Sequence, residues 1–207
     1  MINKIFHYHR SSKHNQHAFA PGPGQLDWAS QPDPFRRYEG AEVFPLIKAA
    51  QTEGPTFSEA LTPNKVSACP LNLESISQLF FDCLALSAWK SFQGSKWALR
   101  VNPSSGNLHP TEGYLVCGPI QGLTDEPSVF HYSPETHGLE IRAHFSMETW
   151  EKMRLSEDTL FVGLSSIHWR EAWKYGQRAY RYCQHDLGHA LAALNISCAG
   201  LGWRTHL

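Results

Sequence analysis

The segment Arg100-Val101-Asn102-Pro103-Ser104-Ser105-Gly106-Asn107-Leu108-His109-Pro110-Thr111 concentrates a rigid turn, two adjacent hydroxyls, a glycine and an amide in one loop. The residues that follow it, Glu112-Gly113-Tyr114-Leu115-Val116-Cys117, are typical of a β-strand. Binding sites are often built on polar loops that a rigid element holds in place. The sequence therefore predicts a ligand-binding loop at the end of a strand.

The backbone of this loop suits a flat ligand. Pro103 fixes its own φ and pushes Asn102 toward an extended conformation, and Gly106 allows a positive φ or the close approach of a ring. The hydrogen-bonding side chains of the loop belong to Ser104, Ser105 and Asn107. On composition alone an ordinary surface turn is the simpler interpretation, so a second motif is needed to decide.

That second motif lies near the carboxyl end, at Tyr175-Gly176-Gln177-Arg178-Ala179-Tyr180-Arg181-Tyr182-Cys183-Gln184-His185-Asp186-Leu187-Gly188-His189. The loop resembles the Pro-Ser-Ser-x-Asn-x-Gln-Pro loop of the FMN-dependent nitroreductase superfamily. Thr111-Glu112-Gly113-Tyr114-Leu115 after it is similar to the Thr-Glu-x-Tyr-Leu of the SagB/thiazoline-oxidase-like branch, and the second motif resembles a helix of that branch. The two motifs stand in the family's order, and the resemblance covers about residues 73–203.

This resemblance implies an α+β, nitroreductase-like fold in which an antiparallel-rich sheet packs with a long core helix. It also implies FMN as the cofactor, with hydride transfer through the flavin N5 in two half-reactions. The cofactor carries the electrons while the protein supplies position and electrostatics, so no catalytic residue is singled out. The substrate stays open among nitroaromatics, quinones, peptide azolines and other conjugated acceptors.

The resemblance places two groups of residues at the flavin. The Pro103–Asn107 loop lies against the isoalloxazine and the ribityl chain, commonly across a dimer interface, and Gly200–Gly202 is similar to the glycine turn that passes the ring. Arg100 is a cation that flanks the loop. The predicted cofactor-binding residues are Arg100, Pro103, Ser104, Ser105, Gly106, Asn107, Gly200, Leu201 and Gly202. The simpler alternative for the glycine turn is a helix C-cap.

Other site chemistries are weaker. His185 and His189 stand four residues apart on a predicted helix, but no second ligand pair accompanies them, so no metal is assigned. Ser165-Ser166 lacks the Gly-x-Ser-x-Gly frame of a nucleophile elbow. The family's Arg-Arg-Ser-x-Arg string for the phosphate has only a weak counterpart in Ser87-Ala88-Trp89-Lys90, and Lys90 is better explained as a solvated helix end.

Composition limits the function further. The 207 residues, 42% of them hydrophobic, suffice for one sizeable core. A net charge of -1 gives no electrostatic footprint for nucleic acid, and no apolar run of about 18 residues predicts a membrane span. Five widely spaced cysteines predict reduced, mostly buried thiols. The expected partner is a small-molecule or peptide substrate, and the expected location is the cytoplasm.

Two regions are predicted along the chain. Residues 1–70, rich in Pro, Gly, Ser and His, predict an N-terminal arm that docks partly on the core, and residues 71–207 predict an incomplete nitroreductase-like FMN-binding domain. The predicted elements are a helix from Leu73 to Ser91 capped by Asn72, a strand from Gly113 to Cys117, a hairpin of Ser128 to Tyr132 with Gly138 to Arg142, a helix from Ser146 to Arg154, a central strand from Leu160 to Leu164, and a long helix from Arg170 to Ala199.

The chain stops four residues after Trp203, where members of the family continue with further strands and a basic residue that holds the FMN phosphate. We therefore expect the C-terminal part of the domain to be missing, a homodimer partner or a complementing chain to complete the site, and FMN to bind more tightly when the segment is restored. The alternative is a truncated, non-catalytic nitroreductase-like binding or interaction domain. Retention of FMN separates the enzyme from this alternative.

Overall fold

The computed structural model describes residues 2–48, 54–156 and 158–207. Its helices are α1 (Ile2–Ser11), α2 (Phe57–Ala60), α3 (Leu73–Cys83), α4 (Met147–Lys152), α5 (His168–Tyr175) and α6 (Ala179–Gly200). Its strands are β1 (Val43–Pro45), β2 (Leu86–Phe92), β3 (Ser95–Arg100), β4 (Thr111–Cys117), β5 (Ser128–Ser133), β6 (Gly138–His144) and β7 (Leu160–Ser166). Within these ranges, no helix has both the length and the apolar content for a membrane span.

The core lies between an antiparallel sheet and two helices. Five strands pair in the order β1-β6-β5-β4-β7, and α3 and α6 contribute the apolar side chains that meet them. Phe80 of α3 stacks on Tyr132 of β5 with ring centroids 4.7 Å apart, and both are almost fully buried. Each such buried side chain contributes about 1.5–3 kcal/mol. The predicted α+β class, with an antiparallel sheet packed with a long core helix, is confirmed.

The first core helix is shorter than predicted. α3 begins after the Asn72 cap, as expected, but ends at Cys83 and not at Ser91. β2 and β3 follow as a hairpin whose two-residue turn, Gln93-Gly94, has φ values of 46° and 82°. Two positive φ values are the signature of a type I′ turn, which matches the twist of paired strands. Ser87 and Lys90 therefore lie on an exposed strand and do not close a helix.

Two further predictions need correction. The long helix is broken into α5 and α6 by a 3₁₀ turn at Gly176–Arg178, where Gly176 has φ 53° and ψ −123°, a conformation that a Cβ disfavours. The apolar run Leu160–Leu164 belongs to β7, which stands at the end of the strand order and not at its centre. The predicted strand at 113–117, the β5–β6 hairpin and the short helix capped by Ser146 are confirmed.

The N-terminal 70 residues contact the rest of the chain in several places. β1 pairs with β6 at one edge of the sheet. On α1, Tyr8 donates its hydroxyl to the carbonyl of Gln177 at 2.8 Å, and Arg181 of α6 donates from Nε to the Ser12 hydroxyl at 3.1 Å. The boundary between an arm and a domain at residue 70 stays a prediction.

The thiols follow the sequence expectation. All five cysteines lie in the described ranges and are unpaired, and four of them are buried while Cys69 is exposed. Burial raises the pKa of Cys117 to about 12 and, as the main cause, the pKa of Cys183 and Cys198 to about 11. These buried thiols therefore stay protonated and behave as small apolar groups.

Candidate functional site

The predicted loop is held in shape by one carboxylate. Ser104 donates its hydroxyl to Oδ2 of Asp186 at 2.8 Å, and the Ser105 backbone N–H donates to Oδ1 at 3.0 Å. The Ser105 hydroxyl also reaches Oδ1, at 3.3 Å. Asp186 lies on α6 and is only 1% exposed. Hydrogen bonds to a buried charged acceptor contribute about 1.5–3 kcal/mol each, so these contacts fix the loop from behind.

The second half of the loop is fixed by its own side chains. Asn107 donates from Nδ2 to the carbonyl of Ala98 at 2.9 Å, and its Oδ1 lies 2.8 Å from Nε2 of His109. Burial, together with the charge of Arg100, lowers the pKa of His109 to about 3. The ring is therefore neutral, and with its proton on Nε2 it donates to Asn107. Asn107 and His109 both have positive φ, at 60° and 48°.

Gly106 brings the loop against the end of α5. A Cβ at this position would lie 2.5 Å from the Tyr175 hydroxyl and 2.9 Å from Cδ of Lys174, so both side chains would have to shift, and the φ of 64° also favours glycine. Lys174 Nζ lies 3.4 Å from the Gly106 carbonyl. A cation and a phenol thus flank the loop. Sequence reasoning missed both residues, although they stand beside Gly176, where the second motif breaks the helix.

A chain of buried charged groups lies behind the loop. His131 has Nδ1 at 2.5 Å from Oε2 of Glu140 and Nε2 at 2.8 Å from Oε2 of Glu112. Arg170 donates from Nη1 to Oε1 of Glu112 at 2.7 Å and to the carbonyl of His109 at 2.6 Å. Both nitrogens of His131 face carboxylate oxygens, so the ring bridges Glu140 and Glu112. These hydrogen bonds therefore link the sheet to the last turn of the loop.

Burial and charge oppose one another at Glu112. Burial alone would raise the pKa of this carboxyl, but the hydrogen bond with His131 and the charges of Arg100 and Arg170 outweigh it and hold the pKa below its ordinary value. Glu112 is 1% exposed and Arg170 is 3% exposed. A buried carboxylate of this kind is stable only while its cationic partners are in place.

Arg100 lies behind the loop, and its hydrogen bonds go to backbone carbonyls outside residues 103–107. Its Nη1 donates to the carbonyl of Thr111 at 3.0 Å and its Nη2 donates to the carbonyl of Pro34 at 2.6 Å. The side chain is 6% exposed, and burial lowers its pKa to about 10. In this position Arg100 joins the loop to the N-terminal region. Its assignment to the cofactor stays a prediction.

The glycine turn lies at the opposite end of α6. Gly202 has φ 69°, its N–H donates to the carbonyl of Ala199, and the N–H of Trp203 donates to the carbonyl of Cys198 at 2.8 Å. These contacts form the C-cap named above as the simpler alternative. From Asp186 to Gly200, fourteen residues at about 1.5 Å each give about 21 Å. The structure therefore brings Arg100 and residues 103–107 together and leaves Gly200–Gly202 apart from them.

Two open grooves border the glycine turn. One has a volume of about 620 Å³, and its lining includes Ala68, Gly202, Trp203 and Arg204. The other has a volume of about 1080 Å³, and its lining includes Cys69, Phe81, Ile196 and Leu201. These grooves give this end of α6 room for a ligand or for another chain.

The histidine pair and the serine pair considered in the sequence both lie at exposed positions. His185 and His189 are both exposed on α6, and across residues 2–48, 54–156 and 158–207 no cluster of three or more His, Cys, Asp or Glu side chains is arranged to hold a metal ion. Ser165 and Ser166 close the edge strand β7 and pair with Glu112 and Thr111 of β4.

No family model matches the chain. A candidate nitroreductase from Methanocaldococcus jannaschii is 22% identical to it over 142 residues, which cover 66% of this chain and 67% of that protein. This similarity extends beyond the two motifs, since it spans two thirds of both sequences.

Three solved structures share the fold. A candidate nitroreductase from Anabaena variabilis is 26% identical with a TM-score of 0.69, and the match covers 93% of this chain but 38% of that one. One from Ralstonia eutropha has 18% identity and a TM-score of 0.53, over 82% and 81% of the two chains. A chain of the Escherichia coli microcin synthetase complex McbBCD, solved with truncated pro-MccB17 bound, has 17% identity and a TM-score of 0.52, over 97% and 78%.

Proposed function

We propose that this chain is an FMN-dependent oxidoreductase of the nitroreductase type, which passes hydride through the flavin N5 to or from a conjugated small-molecule or peptide-azoline substrate. The observation that carries the proposal is the contact between Asp186 and the Ser104–Ser105 pair. It joins the two motifs on which the resemblance rests into one structure. Similarity to nitroreductases in sequence and fold supports the same conclusion.

The residues around the loop fit a flavin ring. Pro103 and Gly106 are exposed at the tip of the loop, with Lys174 and Tyr175 packed beside Gly106. When bound, FMN would supply the two-electron chemistry. Lys174 would place a positive charge beside the ring, which favours the negative charge of a reduced flavin, and Tyr175 would offer a hydroxyl as a hydrogen-bonding group. Asp186 would keep the loop in its binding shape.

A site that uses both predicted groups of residues needs two chains. A distance of about 21 Å along α6 is greater than the length of the isoalloxazine ring system, so one ring cannot contact the loop and the glycine turn of the same chain. We propose that a second copy or a complementing chain supplies the Gly200–Gly202 end. Arg204 lines the groove there and is a cation available to the phosphate. The likeness to a chain of a synthetase complex agrees with both a partner chain and a peptide substrate.

The first prediction tests the loop by removing its two hydroxyls. In the variant Ser104→Ala/Ser105→Ala, the loop loses both hydroxyl contacts to Asp186, and we expect FMN to bind more weakly because the loop is no longer held in its binding shape. Each lost hydrogen bond to a charged acceptor costs about 1.5–3 kcal/mol, so the dissociation constant should rise about tenfold or more. The measurement is a titration of FMN followed by quenching of its fluorescence, with circular dichroism to verify folding.

The matched control is Ser91→Ala/Ser95→Ala, which removes two exposed hydroxyls from the β2–β3 hairpin. Its dissociation constant should equal that of the unaltered chain. Equal affinity in the Ser104→Ala/Ser105→Ala variant would remove the loop from the cofactor site. Failure of the folded, unaltered chain to bind FMN at any concentration tested, alone or with an added partner chain, would contradict the proposed function itself.

A further inference from the structure

Glu171 of α5 is a buried carboxyl group that nothing in the site described so far uses. It is 0% exposed, and no hydrogen-bond donor among the described residues reaches either of its carboxylate oxygens. An ionised carboxylate in such a place has neither water nor a donor to stabilise it. The group is therefore neutral at ordinary pH.

Glu171 interacts with Asp186, the residue that holds the loop. α5 packs against α6, and the charges that act on Glu171 are those of Asp186 on α6 and Lys174 on its own helix. The titratable groups that Glu171 itself acts on are Cys183 of α6 and Tyr175 of α5. Burial, reinforced by the charge of Asp186 and opposed by Lys174, raises the pKa of Glu171 to about 8. Asp186 is the residue that holds Ser104 and Ser105.

We propose that Glu171 is a positioning residue for the cofactor loop: its uncharged carboxyl lets Asp186 hold the Ser104–Ser105 pair without a second negative charge beside it, and loss of its proton loosens the loop. Two buried carboxylates that share one site repel each other, so ionisation of Glu171 would oppose the contacts that hold Asp186 in place. These contacts are the hydrogen bonds to Ser104 and Ser105. The loop is thus competent at neutral pH and weakened in alkali.

The first experiment measures stability and does not involve FMN. The pKa of Glu171 in the folded chain, about 8, lies above the ordinary 4.5. Its contribution to stability is therefore complete below about pH 4.5, falls as the pH rises, and is lost above about pH 8. Glu171→Gln keeps the shape and cannot ionise. We expect the two proteins to have similar melting temperatures at pH 5, and the variant to melt about 4 °C or more above the parent at pH 9.

The control for stability is Glu151→Gln, which changes an exposed carboxyl on α4. Its melting temperature should differ from that of the parent by the same small amount at pH 5 and at pH 9. A difference between Glu171→Gln and the parent that is constant over this range would overturn the proposal.

A second measurement uses the unaltered chain, so it does not depend on whether the variant folds. The backbone N–H of Ser105 donates to Asp186, and its protection from hydrogen exchange, corrected for the intrinsic rate, reports on the loop. We expect this protection to fall above pH 8 while the N–H of Leu115, in the middle of β4, keeps its protection. Equal behaviour of the two amides would count against a loop-specific effect.

The third measurement rests on the proposed function. If FMN binds only when Glu171 carries its proton, the dissociation constant should rise about tenfold between pH 7 and pH 9, and Glu171→Gln should change less than about twofold. A parent whose affinity is constant over this range contradicts the role of Glu171. Absence of FMN binding in both proteins at pH 7, alone and with an added partner chain, contradicts the proposed function, and the stability and exchange measurements then still decide the role of Glu171.

Discussion

Replacing Glu112 with glutamine is expected to lower the free energy of unfolding by about 3–5 kcal/mol, because it leaves buried cationic partners without their carboxylate. Arg170 and His131 both contact this group, and all three side chains are at most 3% exposed. For a chain of this size the loss corresponds to about 10 °C in the melting temperature. Thermal or urea unfolding monitored by circular dichroism measures it.

Glu126→Gln is the matched control, since Glu126 also faces a histidine. Its Oε1 lies 3.4 Å from Nδ1 of His144, but both side chains are largely exposed, and such pairs contribute at most about 1 kcal/mol. We expect no more than a small change in stability. Similar losses in the two variants would mean that the Glu140–His131–Glu112–Arg170 chain does not stabilise the fold. The pKa of Glu112 lies below its ordinary value, so its contribution is present at neutral pH and is lost in acid.

The glycine turn gives the second large effect. Gly202→Ala is expected to destabilise the chain by about 2–5 kcal/mol, which combines about 1–2 kcal/mol for a Cβ at positive φ with about 1–3 kcal/mol for overpacking. A Cβ on Gly202 would lie 2.5 Å from the carbonyl oxygen of Ser67 and 2.8 Å from the nitrogen of Ala68, and these are backbone atoms that cannot rotate away. Chemical denaturation gives the value directly.

Gly200→Ala is the control two residues away. A Cβ there would have open space within 4 Å, and the residue is helical, so alanine should leave stability unchanged or raise it by as much as about 1 kcal/mol. The pair of variants separates the close backbone approach at Gly202 from a general sensitivity of the helix end. Equal losses at both positions would show that the turn is not packed on Ser67 as described.

The loop could be predicted from the sequence because its chemistry is local. The turn-forming residues Pro103 and Gly106 and the two serines act on the adjacent backbone, so their role can be inferred without knowledge of the fold. The partner of the serines could not be derived in this way. Asp186 stands 82 residues after Ser104, and only the packing of α6 behind the loop brings it within 2.8 Å.

The overlong helix shows how a local pattern misleads. Leu84 and Leu86 continue the helical spacing of α3, but the Gln93-Gly94 turn and the pairing of β2 with β3 take the chain into a hairpin instead. Inside the second motif the composition is also helical, but the positive φ of Gly176 ends α5 before α6 begins. In both places a glycine marks the break in the sequence. Whether a glycine ends a helix depends on tertiary contacts, which the sequence does not show.

The buried charged chain was missed for a different reason. His131 alternates with Phe130 and Tyr132 along β5, and such alternation normally marks a solvent-facing position. Here the second face of the sheet is covered. Tyr38 from the N-terminal region places its ring centroid 5.1 Å from that of His131, and its N–H reaches Glu140 at 3.3 Å. Where the sheet is buried on both faces, as it is at His131, alternation does not mark a solvent-facing side.

The distribution of thiols gives the protein a natural site for covalent labelling. Cys69 is exposed while the other four cysteines are buried, so an alkylating dye reaches a single sulfur without any engineered substitution. Its backbone accepts a hydrogen bond from the indole of Trp203 and donates one to Leu201, and its side chain borders the larger groove. A fluorophore at this position would report directly on ligands or chains that arrive at the carboxyl end of α6.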